Sequence, residues 1–290
     1  MNRRVIIFAI LPLAFLSGCA TQTATTETLP EVKFLTNDSG IIIGDFKSHG
    51  PKYLLGGIPY RNGQPAPYDV PTGVWARAQR LESLHNTEPR YFIPASGSIQ
   101  VVSIERPAAY NTPYKNFEAE LKQWKWLIKS APLGPETQAY LNQQQLSEIP
   151  WTNAGSCFYA KLRRQSFPWG NALLYLTSYV QGNTGGPVNN DMLVLVLQGI
   201  TKDDRYAVNA HMEIRHPGLP DSLWDKRMEG LAVFSIDDQT KEAEKWLDAQ
   251  PDDSFRPTTR QYEEFFDALR VRRGAPYVPA SAGRDTQNAR

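Results

Sequence analysis

Residues 191–200 read Asp-Met-Leu-Val-Leu-Val-Leu-Gln-Gly-Ile, and this stretch decides the fold because it belongs to a series of apolar runs. The connections between the runs hold turn-forming residues, including Gly and Pro at 166–170 and 182–187 and Lys-Asp-Asp at 202–204. Consecutive strands joined by turns usually lie side by side and antiparallel. The sequence therefore predicts a four-stranded antiparallel meander, with strands near 157–165, 171–181, 191–200 and 205–215.

The meander sorts its side chains into two faces, because alternate residues of a strand point to opposite sides of the sheet. Centring each turn places Thr177 opposite Val196 and Val194 opposite His211. One face is apolar and is the predicted core; its members include Phe158, Ala160, Leu162, Leu174, Leu176, Leu195, Leu197, Val208 and Ala210. The other face is mixed, aromatic and polar; it carries Tyr159, Lys161, Tyr175, Tyr179, Asn209 and His211.

Segments on both sides of the meander complete an α+β pattern. Short N-terminal strands are predicted where apolar pieces alternate with Pro and Gly: 40–46, 53–55, 90–93 and 99–104. Helices are predicted where apolar residues recur every three or four positions: 116–129, 136–146, 222–234, 241–249 and a last helix through 262–269. Thr258 to Gln261 is a capping-box pattern for that last helix. Amphipathic helices need an apolar surface, so we predict an antiparallel sheet with helices packed on one face.

The N-terminus carries a targeting pattern. Arg3 and Arg4 precede an apolar stretch, Val5 to Leu16, that suits a signal peptide and is too short to span a bilayer. Leu16-Ser17-Gly18-Cys19 resembles the lipobox of bacterial lipoproteins. The resemblance implies cleavage before Cys19, acyl chains such as palmitate on that cysteine, and stable membrane anchoring by two or more chains. Ala20 in place of Asp then implies the outer membrane, with the protein facing the periplasm.

These patterns divide the chain of 290 residues into four parts. Residues 1–18 are the predicted signal peptide, and the Thr-rich segment 19–30 is a flexible tether. Residues 31–273 show no internal repeat and are predicted to form a single α+β domain. Residues 274–290 mix Gly, Ala, Pro and polar residues without periodicity, so we predict a disordered tail.

Charge and cysteine content limit the function classes. With 31 basic and 30 acidic residues the chain is nearly neutral, which argues against a nucleic-acid-binding surface. Of the two cysteines, the lipid would use Cys19, so Cys157 has no disulfide partner within the mature chain.

Candidate catalytic and metal-binding residues do not combine into a site in the predicted sheet. His211, Glu213 and His216 form His-x-Glu-x-x-His, but on a strand the two histidines point to opposite faces. Cys157 and His211 share a face, yet they lie three strands apart, which is about 14 Å at the usual spacing between strands. We therefore predict no catalytic residue, no metal ligand and no cofactor.

The remaining candidate is the tyrosine-rich face of the sheet, since tyrosines give rigid contact area with a polar tip. Its predicted binding residues are Tyr159, Lys161, Tyr175, Tyr179, Asn209 and His211. The leading hypothesis is a lipid-anchored periplasmic binding or accessory module whose partner is an envelope protein, a toxin that it neutralises, or a glycan. The alternative is a periplasmic hydrolase with a site assembled from residues distant in sequence. Residues 198–220 are also similar to a segment of uncharacterised bacterial envelope proteins, which implies no activity.

Overall fold

A computed structural model describes residues 28–35, 39, 41–43, 45–49, 53–54, 58–59, 73–80, 97–105, 117–144, 148–149, 155–180, 188–222 and 236–276. The strands are β1 (Thr28–Phe34), β2 (Ile41–Ile43), β3 (Lys47–His49), β4 (Tyr53–Leu54), β5 (Ile58–Pro59), β6 (Gly73–Arg80), β7 (Gly97–Ser103), β8 (Gly155–Ser156), β9 (Ala160–Phe167), β10 (Gly170–Thr177), β11 (Tyr179–Val180), β12 (Val194–Thr201), β13 (Tyr206–Glu213) and β14 (Leu269–Pro276). The helices are α1 (Phe117–Lys129), α2 (Pro135–Gln144), α3 (Ile236–Ala249) and α4 (Thr259–Asp267).

The predicted α+β class and the antiparallel meander are confirmed. The main sheet has eight strands in the order β2, β6, β7, β13, β12, β10, β9, and β3 also pairs with β6. The meander is its β9, β10, β12 and β13 portion, and the N-terminal strands β7 and β6 extend the sheet beyond β13. The strand β13 is therefore an inner strand of the sheet.

The register differs from the prediction by two residues on both sides of β12. Thr177 lies opposite Val194 instead of Val196, and His211 lies opposite Val196 instead of Val194. The β12–β13 turn is centred later in the chain, with the Asp204 amide donating to the Thr201 carbonyl and Asp204 at φ 59°. A shift of two residues keeps every side chain on its face, so the predicted faces survive the wrong register.

A bulge in β9 moves one predicted core residue to the other face. Leu174 lies opposite Arg163 and Leu176 opposite Ala160, so β9 holds one extra residue between these pairs. Lys161 takes up the irregularity with a left-handed φ of 56°. Leu162 consequently packs on the face opposite the one predicted.

The two faces of the sheet each support a hydrophobic core. The first core lies on the predicted apolar face and includes Leu176, Leu195, Leu197 and Val208. It is covered by α4 and by the two-stranded ribbon of β1 and β14, with Phe34, Tyr262, Phe265, Phe266 and Val271 contributing.

The second core lies on the mixed face of the sheet. It includes Tyr175, Val194, Val196 and Ile200, and α1 and α2 cover it with Phe117, Leu121, Trp124, Leu127, Ile128 and Leu141. The prediction that helices pack on one face is therefore wrong. Tyrosine rings and valine side chains lie among the polar residues of this face. The face therefore has enough apolar area to pack against a second layer of helices.

Arg164 of β9 holds the C-terminal end of α1. Arg164 donates to the carbonyls of Leu127 (2.8 Å), Ile128 (2.6 Å) and Ala131 (2.5 Å). The last carbonyls of a helix have no partner within the helix, so a side-chain donor satisfies them. A guanidinium at this position also complements the negative end of the helix dipole. The contact fixes α1 against the second core.

The last helix begins as predicted. Thr258 and Gln261 exchange both hydrogen bonds of a capping box, and α4 then buries Tyr262, Phe265 and Phe266. The predicted helices at 116–129 and 136–146 correspond to α1 and α2, and the one at 241–249 lies within α3.

Some sequence predictions fall outside the described residues. They are the signal peptide with Cys19, most of the tether, the strand at 90–93, the connection at 182–187, nearly all of the helix at 222–234 and the end of the tail. Within the described residues, β1 begins at Thr28, inside the segment predicted as tether, and β14 continues to Pro276. None of the described helices has the length and apolar character needed to cross a membrane.

A substitution at Gly199 of β12 tests how tightly the first core is packed. A Cβ on Gly199 would lie 2.4 Å from the Trp169 ring, which is buried, stacks on Phe167 and donates to the Phe266 carbonyl. We expect Gly199→Ala to lower the free energy of unfolding by about 2 kcal/mol, because the ring has no room to move. Urea unfolding of the purified protein gives this value. Gly155→Ala is the control, since a Cβ there meets nothing within 4 Å; equal losses in both variants would contradict the packing argument.

Candidate functional site

A buried carboxylate organises the polar residues of the mixed face. The Glu148 side chain is only 3% exposed and lies just after α2, outside any strand. One of its oxygens, Oε2, lies 2.6 Å from His211 Nε2 and accepts from Asn209 Nδ2 at 3.3 Å. The other, Oε1, accepts from the hydroxyls of Tyr175 (3.2 Å), Tyr179 and Ser156 (3.5 Å). We call these six residues the Glu148 cluster.

The sheet brings the donors of the Glu148 cluster together. Asn209 and His211 are alternate residues of β13, so they share a face. Tyr175 lies in the same cross-strand row as His211, with Val196 between them. Tyr179 stands beyond the end of β10 and sets its ring edge-on to His211, with centroids 5.4 Å apart. The positions of these side chains thus follow from strand pairing.

The environment keeps Glu148 ionised. Burial raises the pKa of this carboxyl, but the neighbouring His211 and the hydrogen bonds from His211, Tyr179 and Asn209 outweigh burial and place the pKa below 4.5. Burial, followed by the charge of Glu148, raises the pKa of Tyr175 and Tyr179 well above 10. Both tyrosines therefore keep their protons at neutral pH and donate them to Glu148.

The ionised carboxylate also fixes the state of His211. A carboxylate only accepts hydrogen bonds, so Nε2 of His211 must carry the proton that it shares with Glu148. Among the described residues none bonds to the other ring nitrogen, Nδ1, and the side chain is 15% exposed. The cluster therefore holds the neutral imidazole of His211 in one tautomer and orientation, with the proton on Nε2 and Nδ1 as an acceptor.

Buried amides continue this polar strip across the sheet. Gln100, Asn209 and Gln198 lie in one cross-strand row, and each is almost fully buried. Gln198 accepts from the Ile149 amide at 3.2 Å, which helps to hold Glu148 in place. Three buried amide atoms have no partner within the described part of the chain: Gln100 Oε1, Gln198 Nε2 and Asn209 Oδ1. Unpaired buried polar atoms are costly, so a water or a polar ligand group beside them would be stabilising.

The structure brings five of the six predicted binding residues together. Tyr175, Tyr179, Asn209 and His211 bond to Glu148. Tyr159 packs against Tyr175 with ring centroids 4.9 Å apart and ring planes tilted by 50°. However, Tyr159 and Tyr175 are fully buried, so the open tyrosine-rich surface that the sequence suggested is absent from this part of the sheet. That these residues bind a partner remains a prediction.

Lys161 lies apart from the other five residues. Its backbone amide donates to Asp248 at 2.5 Å, and its ammonium bonds to the Gln250 carbonyl and lies 3.3 Å from Asp252. These contacts fasten the C-terminal end of α3. Alternation along a regular strand placed Lys161 on the tyrosine face, and the bulge in β9 removes it from that face.

Glu148 was missed by sequence reasoning. It lies in Leu-Ser-Glu-Ile-Pro, which has no periodicity and matches no catalytic motif. The available signal was indirect: a strip of His, Asn and Tyr on a sheet face needs internal acceptors once helices cover it. Which acceptor fills that need depends on how the loop after α2 folds.

His216 and Cys157, which were considered from the sequence as a metal ligand and a nucleophile, lie outside the Glu148 cluster. His216 receives a hydrogen bond from the Gly218 amide on Nδ1 and bonds to Ser254 through Nε2, both at 3.0 Å. Burial and the nearby Arg256 lower the pKa of His216, so this ring is neutral. Cys157, which was predicted to share the face of His211, packs against the first core instead, and burial raises its pKa. Neither residue shares a site with His211.

Comparison with known proteins adds nothing to these observations. No family model, curated protein or solved structure matches the chain. The Glu148 cluster and the N-terminal motif are therefore the features of this chain that bear on its function.

The substitution Glu148→Gln tests whether the buried carboxylate is ionised and stabilises the fold. In Glu148→Gln an amide NH₂ faces donors, so we expect a loss of about 3 kcal/mol in the free energy of unfolding at pH 7. The folded pKa of Glu148 is lowered, so its stabilisation is complete above about pH 4.5 and is lost as the pH falls through the folded value.

The difference in the free energy of unfolding between wild type and Glu148→Gln should therefore become smaller as the pH falls. Urea unfolding at pH 7 and pH 3 measures it. Glu264→Gln, which removes an exposed pair with Arg260, is the control and should change stability by less than about 1 kcal/mol. A wild-type advantage that grows in acid would contradict an ionised Glu148.

Proposed function

We propose that the protein is a bacterial envelope lipoprotein, anchored through acyl chains on Cys19, whose folded part binds a partner through the imidazole of His211. The observation that carries the binding proposal is the 2.6 Å contact between His211 and the buried Glu148. It leaves one ring nitrogen of a partly exposed histidine directed away from the carboxylate. The N-terminal motif Leu16-Ser17-Gly18-Cys19 supports the anchor.

A role in binding accounts for the buried ion better than a role in packing alone. A buried ion pair is typically no more stabilising than apolar side chains of the same volume. What the Glu148 cluster supplies in addition is a fixed tautomer and a fixed ring orientation for His211. A recognition residue benefits from both, because less freedom is lost when the partner binds.

The partner must offer a polar group to Nδ1 of His211. An envelope protein or a glycan meets this requirement, since both present hydroxyl, amide and carboxylate groups. The three buried amide atoms without described partners lie in the adjacent row and favour a polar ligand. The nearly balanced charge of the chain does not favour nucleic acid.

A second candidate function is hydrolysis, and the same contact favours it. A carboxylate that orients a histidine is the arrangement of a general base, with the far ring nitrogen taking the proton. The strand register places Ser98 of β7 directly opposite His211, on the same face. Ser98, or a water bound there, would be the nucleophile.

Removal of the lipidation site tests the anchor. We expect Cys19→Ser to abolish incorporation of labelled palmitate and to move the protein out of the membrane fraction, because the lipobox cysteine is the attachment point. The measurement is metabolic labelling followed by fractionation of cells. Cys157→Ser is the matched control and should keep both label and membrane association. Equal labelling of the Cys19 variant would refute the lipoprotein assignment.

Crosslinking in cells tests the role of His211. We expect wild type to form a discrete adduct with an envelope component, and His211→Gln to lose it at least tenfold while remaining folded by circular dichroism. His216→Gln is the matched control, because that ring bonds only within the fold. Alanine at Tyr159 or Tyr175 would serve poorly, since both rings are buried and their removal leaves cavities.

The outcomes of this experiment separate the two candidates. An adduct that persists in His211→Gln would overturn His211 as the recognition residue. The absence of any adduct, together with hydrolysis of p-nitrophenyl acetate that is lost in both His211→Gln and Ser98→Ala, would replace binding by hydrolysis.

A further inference from the structure

We infer that the exposed surface around Trp126 lies on the lipid bilayer and orients the domain at the membrane. This inference rests on the proposed lipid anchor at Cys19. The surface consists of Lys122, Lys125 and Trp126 of α1 and Tyr140 of α2, and we call it the Trp126 edge.

Trp126 is a large apolar side chain in contact with water. It is 47% exposed, and among the described residues only Leu35 and Trp246 are other large hydrophobic side chains of this kind. Its ring meets Tyr140 edge-on at 6.0 Å, so the two aromatic side chains form one patch. Tryptophan and tyrosine prefer the boundary between lipid and water, because each has an apolar body and a polar tip.

The charge around Trp126 suits an anionic lipid surface. Lys122 precedes Trp126 by one helical turn, and Lys125 is its neighbour in α1. Within the described part of the chain neither lysine forms an ion pair, and Lys122 is exposed. Unpaired lysines beside an aromatic patch are attracted to anionic headgroups.

A series of contacts places the Trp126 edge near the start of the described fold. Thr28, where β1 begins, bonds to Glu105 at 3.2 Å, and Glu105 lies 3.6 Å from Arg205. Asp204, the neighbour of Arg205, pairs with Lys129 at 2.6 Å, one turn beyond Trp126 in α1. Leu35 lies at the opposite end of β1. The tether therefore enters the fold at the end of the sheet that carries Trp126.

The tether is too short to hold the Thr28 end of the domain far from the membrane. Cys19 and Thr28 are nine residues apart, which allows a separation of at most about 30 Å even when fully extended. A domain of this length has a diameter of roughly 45 Å. Thr28 and the C-terminal turn of α1 lie at the same end of the sheet, so this end is turned toward the bilayer. The Trp126 edge is the aromatic and basic surface available there.

Quenching of tryptophan fluorescence by lipid tests the inference on the full lipidated chain. The protein is reconstituted in vesicles of phosphatidylethanolamine and phosphatidylglycerol at 3:1, with bromine on the acyl chains near the headgroup. We expect the tryptophan fluorescence of wild type to be lower in brominated vesicles than in vesicles without bromine. Trp126→Phe should lose at least half of this quenching. Trp246→Phe is the matched control and should retain it, because Trp246 lies in α3, outside the Trp126 edge, and packs edge-on against His216.

Flotation of the vesicles separates failure of the inference from failure of the anchor. If the protein floats with the vesicles and Trp126→Phe is quenched as strongly as wild type, the Trp126 edge does not touch lipid and the inference is overturned while the anchor stands. If wild type does not float, the lipid anchor fails and the inference fails with it. Loss of quenching in Lys122→Gln combined with Lys125→Gln would support the electrostatic part of the argument.

Discussion

The strand β12 is buried on both faces along its whole length, and the remaining architecture follows from this constraint. A strand covered on both sides needs two layers of apolar side chains. On one side α4 and the ribbon of β1 and β14 supply Phe265, Phe266 and Val271. On the other side α1 and α2 supply Trp124 and Leu141. Burial of this kind is the main source of favourable free energy in folding.

Burial of the second face explains why a carboxylate lies inside the protein. On that face Gln198 and Asn209 are almost fully buried once α1 and α2 are in place, and His211 stays only 15% exposed. They need internal partners, and Glu148 accepts from His211, Asn209 and two tyrosines at once. The charge is stabilised because the surrounding groups are all donors. A rigid histidine at the rim of this network is the feature that gives the fold a candidate function.

The edge strand β9 joins the layers through its basic side chains. Arg164 holds the end of α1 on one side of the sheet, and Lys161 holds the end of α3. The bulge at Lys161 places Arg164 on the face that α1 covers, where Leu162 also packs. Both contacts place a cation at the negative end of a helix, so the attachment is electrostatic as well as geometric.

The periodicity of the sequence predicted the α+β class, the meander, both sheet faces and the capping box before α4. These features depend on local spacing: strands alternate, helices repeat every three to four residues, and an even shift in register leaves the faces unchanged. For the same reason five of the six predicted site residues, among them Tyr175 and His211, lie close together although the predicted rows were wrong. What local spacing determined is therefore which side chains share a surface.

Only the tertiary structure decided what covers that surface and which group completes it. The bulge at Lys161 depends on how β9 meets β10 and α3, and no local pattern encodes it. Glu148 reaches His211 across 63 positions of the chain, from a segment without periodicity. Sequence patterns carry short-range geometry, whereas the pairing of a buried charge with its donors is settled by the packing of distant segments.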